Sequence, residues 1–195
     1  MGLPLEQRRY TIAEYLELEE KSEVKNEFHD GEILAMAGGS YSQSRIIMNL
    51  GLAAGMRLKG SSCFMLESNM RVRVGKRLNY LYPDANIVCR KPEFDPDDIK
   101  QTTITNPRVI FEILSDSTER YDRGEKFSLY RDIDSMEDYV LVSQSTAMVE
   151  TYSRQKDGAW RIAVYQGLAA VAKLPSVSIE LPLAELYIGV DLVEK

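Results

Sequence analysis

Two carboxylates stand where a carboxylate is expensive, and they constrain the fold more than any other feature. Asp84 follows Tyr82-Pro83 and opens the apolar run Ala85 to Cys89. Glu112 lies inside a second apolar run, Val109-Ile110-Phe111-Glu112-Ile113-Leu114. Short apolar runs bounded by turn residues read as buried strands. An ionised carboxylate inside such a strand costs several kcal/mol, roughly, unless it is paired or bound to a metal. Two of them on neighbouring strands would repel, and a divalent cation between them removes the repulsion. The plainer reading stays open: Asp84 also fits an ordinary turn after proline, and Glu112 could pair with an arginine.

The 195 residues suit one α/β or α+β domain, taken here as residues 1–195. An apolar fraction of 44% argues against disorder. No apolar run approaches the roughly 20 residues of a membrane span, and Met1 to Tyr10 lack the apolar core of a signal peptide, so a cytoplasmic protein is expected. In that setting Cys63 and Cys89, both in apolar strand-like runs, are expected as buried free thiols, with a disulfide as the alternative. The one histidine, His29, precedes the Asp30-Gly31 turn and is expected at the surface, so nucleophile–histidine chemistry has no foothold. A net charge of −6 argues against a broad phosphate-binding surface but leaves room for a local basic groove.

Along the chain, Thr11-x-x-Glu14 is a capping box that opens a helix, about Thr11 to Glu20. A strand from Glu32 to Ala37 follows. Gly38-Gly39-Ser40 turns into a second helix, Ser42 to Lys59, stopped by Gly60; with no third glycine and no Lys-Ser/Thr pair, this turn is a weak phosphate cradle. Cys63 to Leu66 and Met70 to Val74 read as strands. Arg71 and Arg73 alternate with valines and share one face, either as a phosphate-gripping groove or as a solvated surface. Tyr80 to Cys89 reads as one strand and Lys91 to Thr105 as a polar loop. A helix from Asp122 to Asp132 places Asp122, Lys126 and Tyr130 on one side, and Asp122-x-x-Glu125 fits a second capping box. Strands at Tyr139 to Ser143, Ala147 to Ser153 and Ala159 to Tyr165 follow, the last two joined by the hairpin signal Asp157-Gly158. A last strand at Val177 to Leu181 leads to a helical turn near Leu183.

These pieces, in this order, resemble one known family. Glu27 with Asp30-Gly31-Glu32, Tyr82-Pro83-Asp84, Glu112-Ile113-Leu114-Ser115, Asp122-x-x-x-Lys126-x-x-x-Tyr130 and Glu137-x-Tyr139-Val140-Leu141-Val142 together are similar to the Uma2 family, formerly a domain of unknown function, within the PD-(D/E)xK nuclease superfamily. The resemblance runs from about Tyr10 to Leu186. It implies a restriction-endonuclease-like α/β fold, a mixed central sheet flanked by helices with an additional antiparallel C-terminal hairpin. It implies Mg²⁺- or Mn²⁺-dependent hydrolysis of nucleic acid, DNA in the first instance, by a homodimer. Asp84 and Glu112 would bind the metal, Glu27 would complete its shell, and Lys126 would supply the catalytic ammonium. Arg71, Arg73 and Arg123 are candidates to hold neighbouring phosphates, and Asp122 and Tyr130 to support the site. The chain departs from the pattern in three places. Leu114 stands where the superfamily's lysine usually lies, Gln43 falls in the turn where relatives often carry histidine, and Ser143 stands where they commonly carry aspartate. These departures motivate a second expectation, a catalytically silent fold used for binding or self-association.

Overall fold

The computed structural model describes residues 8–36, 38–75 and 79–193. Ala37, the last residue of the expected Glu32 to Ala37 strand, and residues 76–78 therefore lie outside the described residues. The first helix, α1 (Ile12–Lys21), opens with the expected box: the Thr11 hydroxyl accepts from the Glu14 amide, and Glu14 Oε2 accepts from the Thr11 amide at 2.8 Å. Next comes the hairpin of β1 (Asn26–His29) and β2 (Glu32–Ala35). Its turn has both central residues at positive φ, Asp30 at 46° and Gly31 at 98°, the conformation that matches strand twist. The helix α2 (Tyr41–Leu58) is capped by Ser40, whose hydroxyl accepts from the Gln43 amide, and Gly60 just beyond it adopts φ 85°.

The strands β3 (Cys63–Glu67), β4 (Arg71–Val74), β5 (Asn79–Leu81), β6 (Ala85–Cys89), β7 (Thr103–Ile104) and β8 (Val109–Leu114) then fall into two different sheets. The expected single strand Tyr80 to Cys89 is in fact broken at Tyr82-Pro83-Asp84. Proline has no N–H to continue a ladder, and here the chain leaves one sheet for the other: β5 pairs with β1 and β4, whereas β6 pairs with β3 and β8. The expected polar loop Lys91 to Thr105 contains β7, and it buries Asp95 and Asp98.

After β8 the helical segment begins earlier than the capping-box reading placed it. A single turn, α3 (Glu119–Tyr121), runs into a π-helical turn, Asp122–Lys126, and then into α4 (Phe127–Tyr130). Asp122 is therefore interior to the helical segment, and its box with Glu125 is not formed. The chain ends through β9 (Asp138–Ser143), β10 (Met148–Arg154), β11 (Trp160–Gln166), β12 (Val171–Leu174), β13 (Ile179–Pro182) and α5 (Leu183–Leu186). The Asp157-Gly158 hairpin joins β10 to β11 as expected. The strand β12 was not legible beforehand.

The sheets run β2-β1-β5-β4-β7, β11-β10-β9-β8-β6-β3 and β12-β13. This is a mixed α/β fold: β8 and β9 are parallel, joined through α3 and α4, while the other pairs of the six-stranded sheet are antiparallel. That sheet is covered on both faces. Ile46, Leu50 and Ala54 of α2, with Leu183 and Leu186 of α5, pack on Ile87, Phe111 and Val140. Val72, Leu81 and Tyr130 pack on Val88, Ile110 and Leu114 on the other side. Every residue of β8 is buried, and Glu112 is its one ionisable group. Arginine was one candidate partner for it; burial on both faces leaves it only the groups described next.

Cys63 and Cys89 form a disulfide, which corrects the expectation of free thiols. They are direct partners in the β3–β6 register, so the backbone alone brings their side chains together. Sequence separation hid this proximity.

Candidate active site

The chain crossing at Pro83 sets Asp84 one step before Ala85. The β6–β8 pairing begins at Ala85 opposite Phe111, and from the bend just before it Asp84 lines the same cleft as Glu112. Asp84 is anchored at both oxygens: Oδ2 accepts from the Ile113 amide at 2.6 Å, and Oδ1 accepts from Gln43 Nε2 at 2.7 Å. Gln43 thus occupies the first turn of α2 as a direct partner of the acid.

Lys126 reaches the pair from the π-helical turn, a wide-turn element that recurs at functional sites. Its Nζ lies 2.9 Å from Glu112 Oε1, 3.4 Å from Glu27 Oε1 and 3.9 Å from Asp122 Oδ1, and it faces the Tyr82 carbonyl at 3.4 Å. The Lys126–Glu112 contact is an ion pair buried on both sides. Glu27 is held differently. Oε1 accepts from the Tyr82 amide at 3.0 Å, and Oε2 lies 3.2 Å from His29 Nε2 and 3.4 Å from the Tyr121 hydroxyl. Glu27, Asp84, Glu112, Tyr121, Asp122 and Lys126, with Ser40, Gly38, Ser115 and Thr118, line a cleft of about 390 Å³.

Three buried carboxylates therefore share one ammonium, with the partly buried Asp84 nearby. Burial pushes the Glu112 carboxyl well above its ordinary range; Asp84 and Asp122 add to this, and Lys126 offsets only part. Burial also raises Asp84, against the pull of the Ile113 amide, Lys126 and Gln43. It raises Asp122 as well. For Glu27, burial is outweighed by Lys126, His29 and the Tyr82 amide together, which hold it below the usual carboxylate range. Burial favours a neutral Lys126, but Glu112, Glu27, Asp122 and Asp84 together outweigh it and keep the side chain an ammonium.

The donor set suits a hard divalent cation. Glu112 and Asp84 bring two carboxylates to the lining of one cleft. One or two carboxylates plus waters is how Mg²⁺ is commonly held. Among the described residues no three His, Cys, Asp or Glu side chains converge as a metal-holding group, and Glu27 meets Glu112 only through the Lys126 ammonium they share. Glu27 also faces His29, Tyr121 and the Tyr82 backbone.

The three arginines are not in the cleft. Arg71 is buried, its guanidinium bonded to Asp98 at 3.1 Å and Thr102 at 2.7 Å and placed over the Tyr15 ring. Arg73 is bonded to Asp95, and Arg123 to Glu119 and Glu150. Neither the groove nor the solvated face expected for Arg71 and Arg73 forms, because buried aspartates of the Lys91–Thr105 segment claim both. His29 is likewise not at the surface. It is largely buried between Glu27 and Tyr121, which lies 3.3 Å away. The signal for it was available: Glu27 and His29 are two residues apart on β1 and so point the same way. Tyr121 had no such signal. Tyr130 is buried beneath the site with its hydroxyl unpartnered. Leu114 shares the Glu112 face, packed in the core, and Ser143 opposes it, bonded to Thr146 at 3.1 Å.

Comparison with known proteins agrees with this arrangement of elements. The Uma2 family, described as "Putative restriction endonuclease", matches residues 12–184. The chain belongs to the Uma2 family. Two cyanobacterial relatives are similar along most of their length. Uncharacterized protein slr1290 of Synechocystis sp. is 37% identical over 177 residues, 90% of each chain, and uncharacterized protein sll1609 of the same organism is 34% identical over 157 residues, 80% of this chain and 88% of that one. The Uma2 fold is also seen in a solved structure from Anabaena variabilis, titled a "putative nuclease belonging to DUF820". It superposes with a TM-score of 0.74 at 17% identity, over 92% of this chain and 98% of that one. No helix among the described residues is long and apolar enough to cross a membrane.

Proposed function

We propose that the cleft hydrolyses phosphodiester bonds of nucleic acid, DNA first, with Mg²⁺ or Mn²⁺ held by Asp84 and Glu112. The observation that carries this reading is that Asp84, Glu112 and Lys126 line one cleft, with the Lys126 ammonium 2.9 Å from Glu112. When bound, such an ion supplies Lewis-acid polarisation of the phosphate and a coordinated water of lowered pKa. Asp84 is fixed for the task by the Ile113 amide and Gln43. Lys126 stays protonated and keeps a positive charge beside Glu112, where it can offset charge developing on the phosphate. Glu27 acts as a positioning residue: its bonds to the Tyr82 amide and His29 fix the carboxylate that faces the ammonium. The test is cleavage of duplex DNA, single-stranded DNA and RNA with Mg²⁺ or Mn²⁺ by wild type, Asp84→Asn, Glu112→Gln and Lys126→Met. Activity in the wild type alone is expected; equal cleavage by all four removes the assignment.

A second reading, a silent nuclease-like fold that binds a partner, is favoured by one observation: Arg71, Arg73 and Arg123 are all claimed by carboxylates of the chain itself. Calorimetry separates the two readings. Mn²⁺ binding that disappears in Asp84→Asn supports the metal centre, and no binding to the wild type supports the silent fold.

A further inference from the structure

A groove of about 860 Å³, larger than the cleft, lies away from it between the outer side of α2 and the edge strand β3. We infer that this face is a two-fold interface with a second copy of the chain, in which the β3 strands pair antiparallel and the two α2 helices meet across them.

Three features of the face argue for this occupant, independently of the nuclease reading. The first is α2 itself. Met48, Leu52 and Met56 form an exposed apolar stripe at successive turns, and Phe64 on β3 is partly exposed beside it. Such a stripe on a helix that already buries its opposite face in the core is unusual unless something covers it. Within the stripe, Gly51 and Gly55 stand one turn apart. A Cβ added at either would meet nothing within 4 Å. A glycine in the middle of a helix costs about 0.5–1 kcal/mol relative to alanine, and nothing inside the chain requires either one. Both line the groove, where the missing side chains allow another backbone to approach closely.

The second feature is the hydrogen-bonding edge. β3 ends the six-stranded sheet. The Arg90 amide donates to the Ser62 carbonyl, so the alternation of an antiparallel ladder turns Ser62, Phe64 and Leu66 toward β6. Cys63, Met65 and Glu67 therefore turn their backbone groups to the open edge. A two-fold axis at Met65 pairs Met65 with its own copy and Cys63 with Glu67, so the unpaired groups of one edge meet those of the other. Six strands from each copy would then form one continuous sheet. This is self-complementarity of the kind a two-fold interface requires, and it removes an exposed edge that is otherwise open to promiscuous pairing.

The third feature is charge. Glu67 stands at one end of β3, and Lys59 and Arg90 flank the other end, all three lining the groove and none in an ion pair with a described residue. The antiparallel pairing brings Glu67 of each copy beside Cys63 of the other, within reach of the basic pair. A parallel arrangement would set like charges together.

The experiment is sedimentation velocity on the full chain across a concentration series, with circular dichroism as the control for folding. Wild type is expected as a dimer. Leu52→Glu is expected as a monomer with an unchanged spectrum. Gly51→Leu should weaken the dimer at least tenfold (about 1.4 kcal/mol) while leaving the helix as stable as before, because leucine is the better helix former. Glu67→Lys alone should weaken association, and adding Arg90→Glu should restore it. A wild type that stays monomeric at every concentration, or a dimer that survives Leu52→Glu, overturns the interface. Failure of the double charge reversal to restore association overturns the antiparallel β3 pairing.

Discussion

Replacing Lys126 with methionine removes the ammonium that Glu112, Glu27 and Asp122, all buried, surround within 4 Å, and its consequences can be worked from the distances. Contacts of 2.9, 3.4 and 3.9 Å to Glu112, Glu27 and Asp122 are each worth about 4–6 kcal/mol at an effective dielectric of about 20. Burying the ammonium takes several kcal/mol back, and losing one partner of a buried ion group has a net cost of about 3–5 kcal/mol. Total stabilities of about 5–15 kcal/mol leave the variant folded but strongly weakened. The loss must also depend on pH. In the wild type, burial already holds Glu112, Asp84 and Asp122 above their ordinary values. A carboxyl raised in the folded state contributes stability below its unfolded pKa and loses it as pH rises through the folded one. Without Lys126 these folded values climb further. The deficit should therefore be smallest below about pH 4, near the unfolded carboxyl values, and should grow toward neutrality. Urea unfolding of wild type and Lys126→Met from pH 4 to 8 measures it. A deficit that is constant with pH, or largest in acid, refutes the electrostatic account. Mn²⁺ gives a second arm: if Asp84 and Glu112 hold the ion, it should restore more stability to Lys126→Met than to the wild type.

Glu112→Gln should abolish cleavage while leaving the protein folded, since Glu27 and Asp122 remain within 4 Å of the Lys126 ammonium; circular dichroism checks the fold. Arg71→Met should cost about 3–5 kcal/mol in urea unfolding, because Asp98 is left buried without its cation, with cleavage per folded molecule unchanged; a loss of cleavage without loss of stability would return Arg71 to substrate binding. Gln43→Ala removes a donor to the Asp84 carboxylate and so favours its protonated form; the acid limb of the pH–rate profile should move to higher pH, and an unmoved limb would show that Asp84 does not ionise in that range. Reduction of Cys63–Cys89, which are 26 residues apart, should cost about 3.5 kcal/mol by loop-closure entropy, read as the difference in urea midpoint with and without reductant.

Several elements were legible along the chain because their causes are local. The Thr11 box, the Asp30-Gly31 and Asp157-Gly158 turns and the Gly60 stop each depend on a few adjacent residues. Other features depend on groups far away in the sequence. The Asp122 box satisfies the local rule yet does not form, because the helical segment extends upstream through Glu119 and makes Asp122 interior. Arg71 and Arg73 alternate as a solvated or phosphate-binding face would, yet Asp98 and Asp95, more than twenty residues on, occupy them. The cysteines, 26 residues apart, meet only through strand register.

By itself the sequence determined that Glu112 would sit at a buried strand position, because an apolar run around a carboxylate marks burial whatever the surrounding fold; Asp84, expected in the next strand, lies instead in the bend before β6 and is partly buried. Which groups neutralise them was decided by the tertiary structure alone. Pro83 breaks the ladder and moves the chain between sheets, the Ile113 amide holds Asp84 in the cleft beside Glu112, and the π-helical turn brings Lys126 to both Glu112 and Glu27. Electrostatic partnership depends on separation in space, and Lys126 stands ninety-nine residues from one of its partners, a distance over which no local pattern carries information.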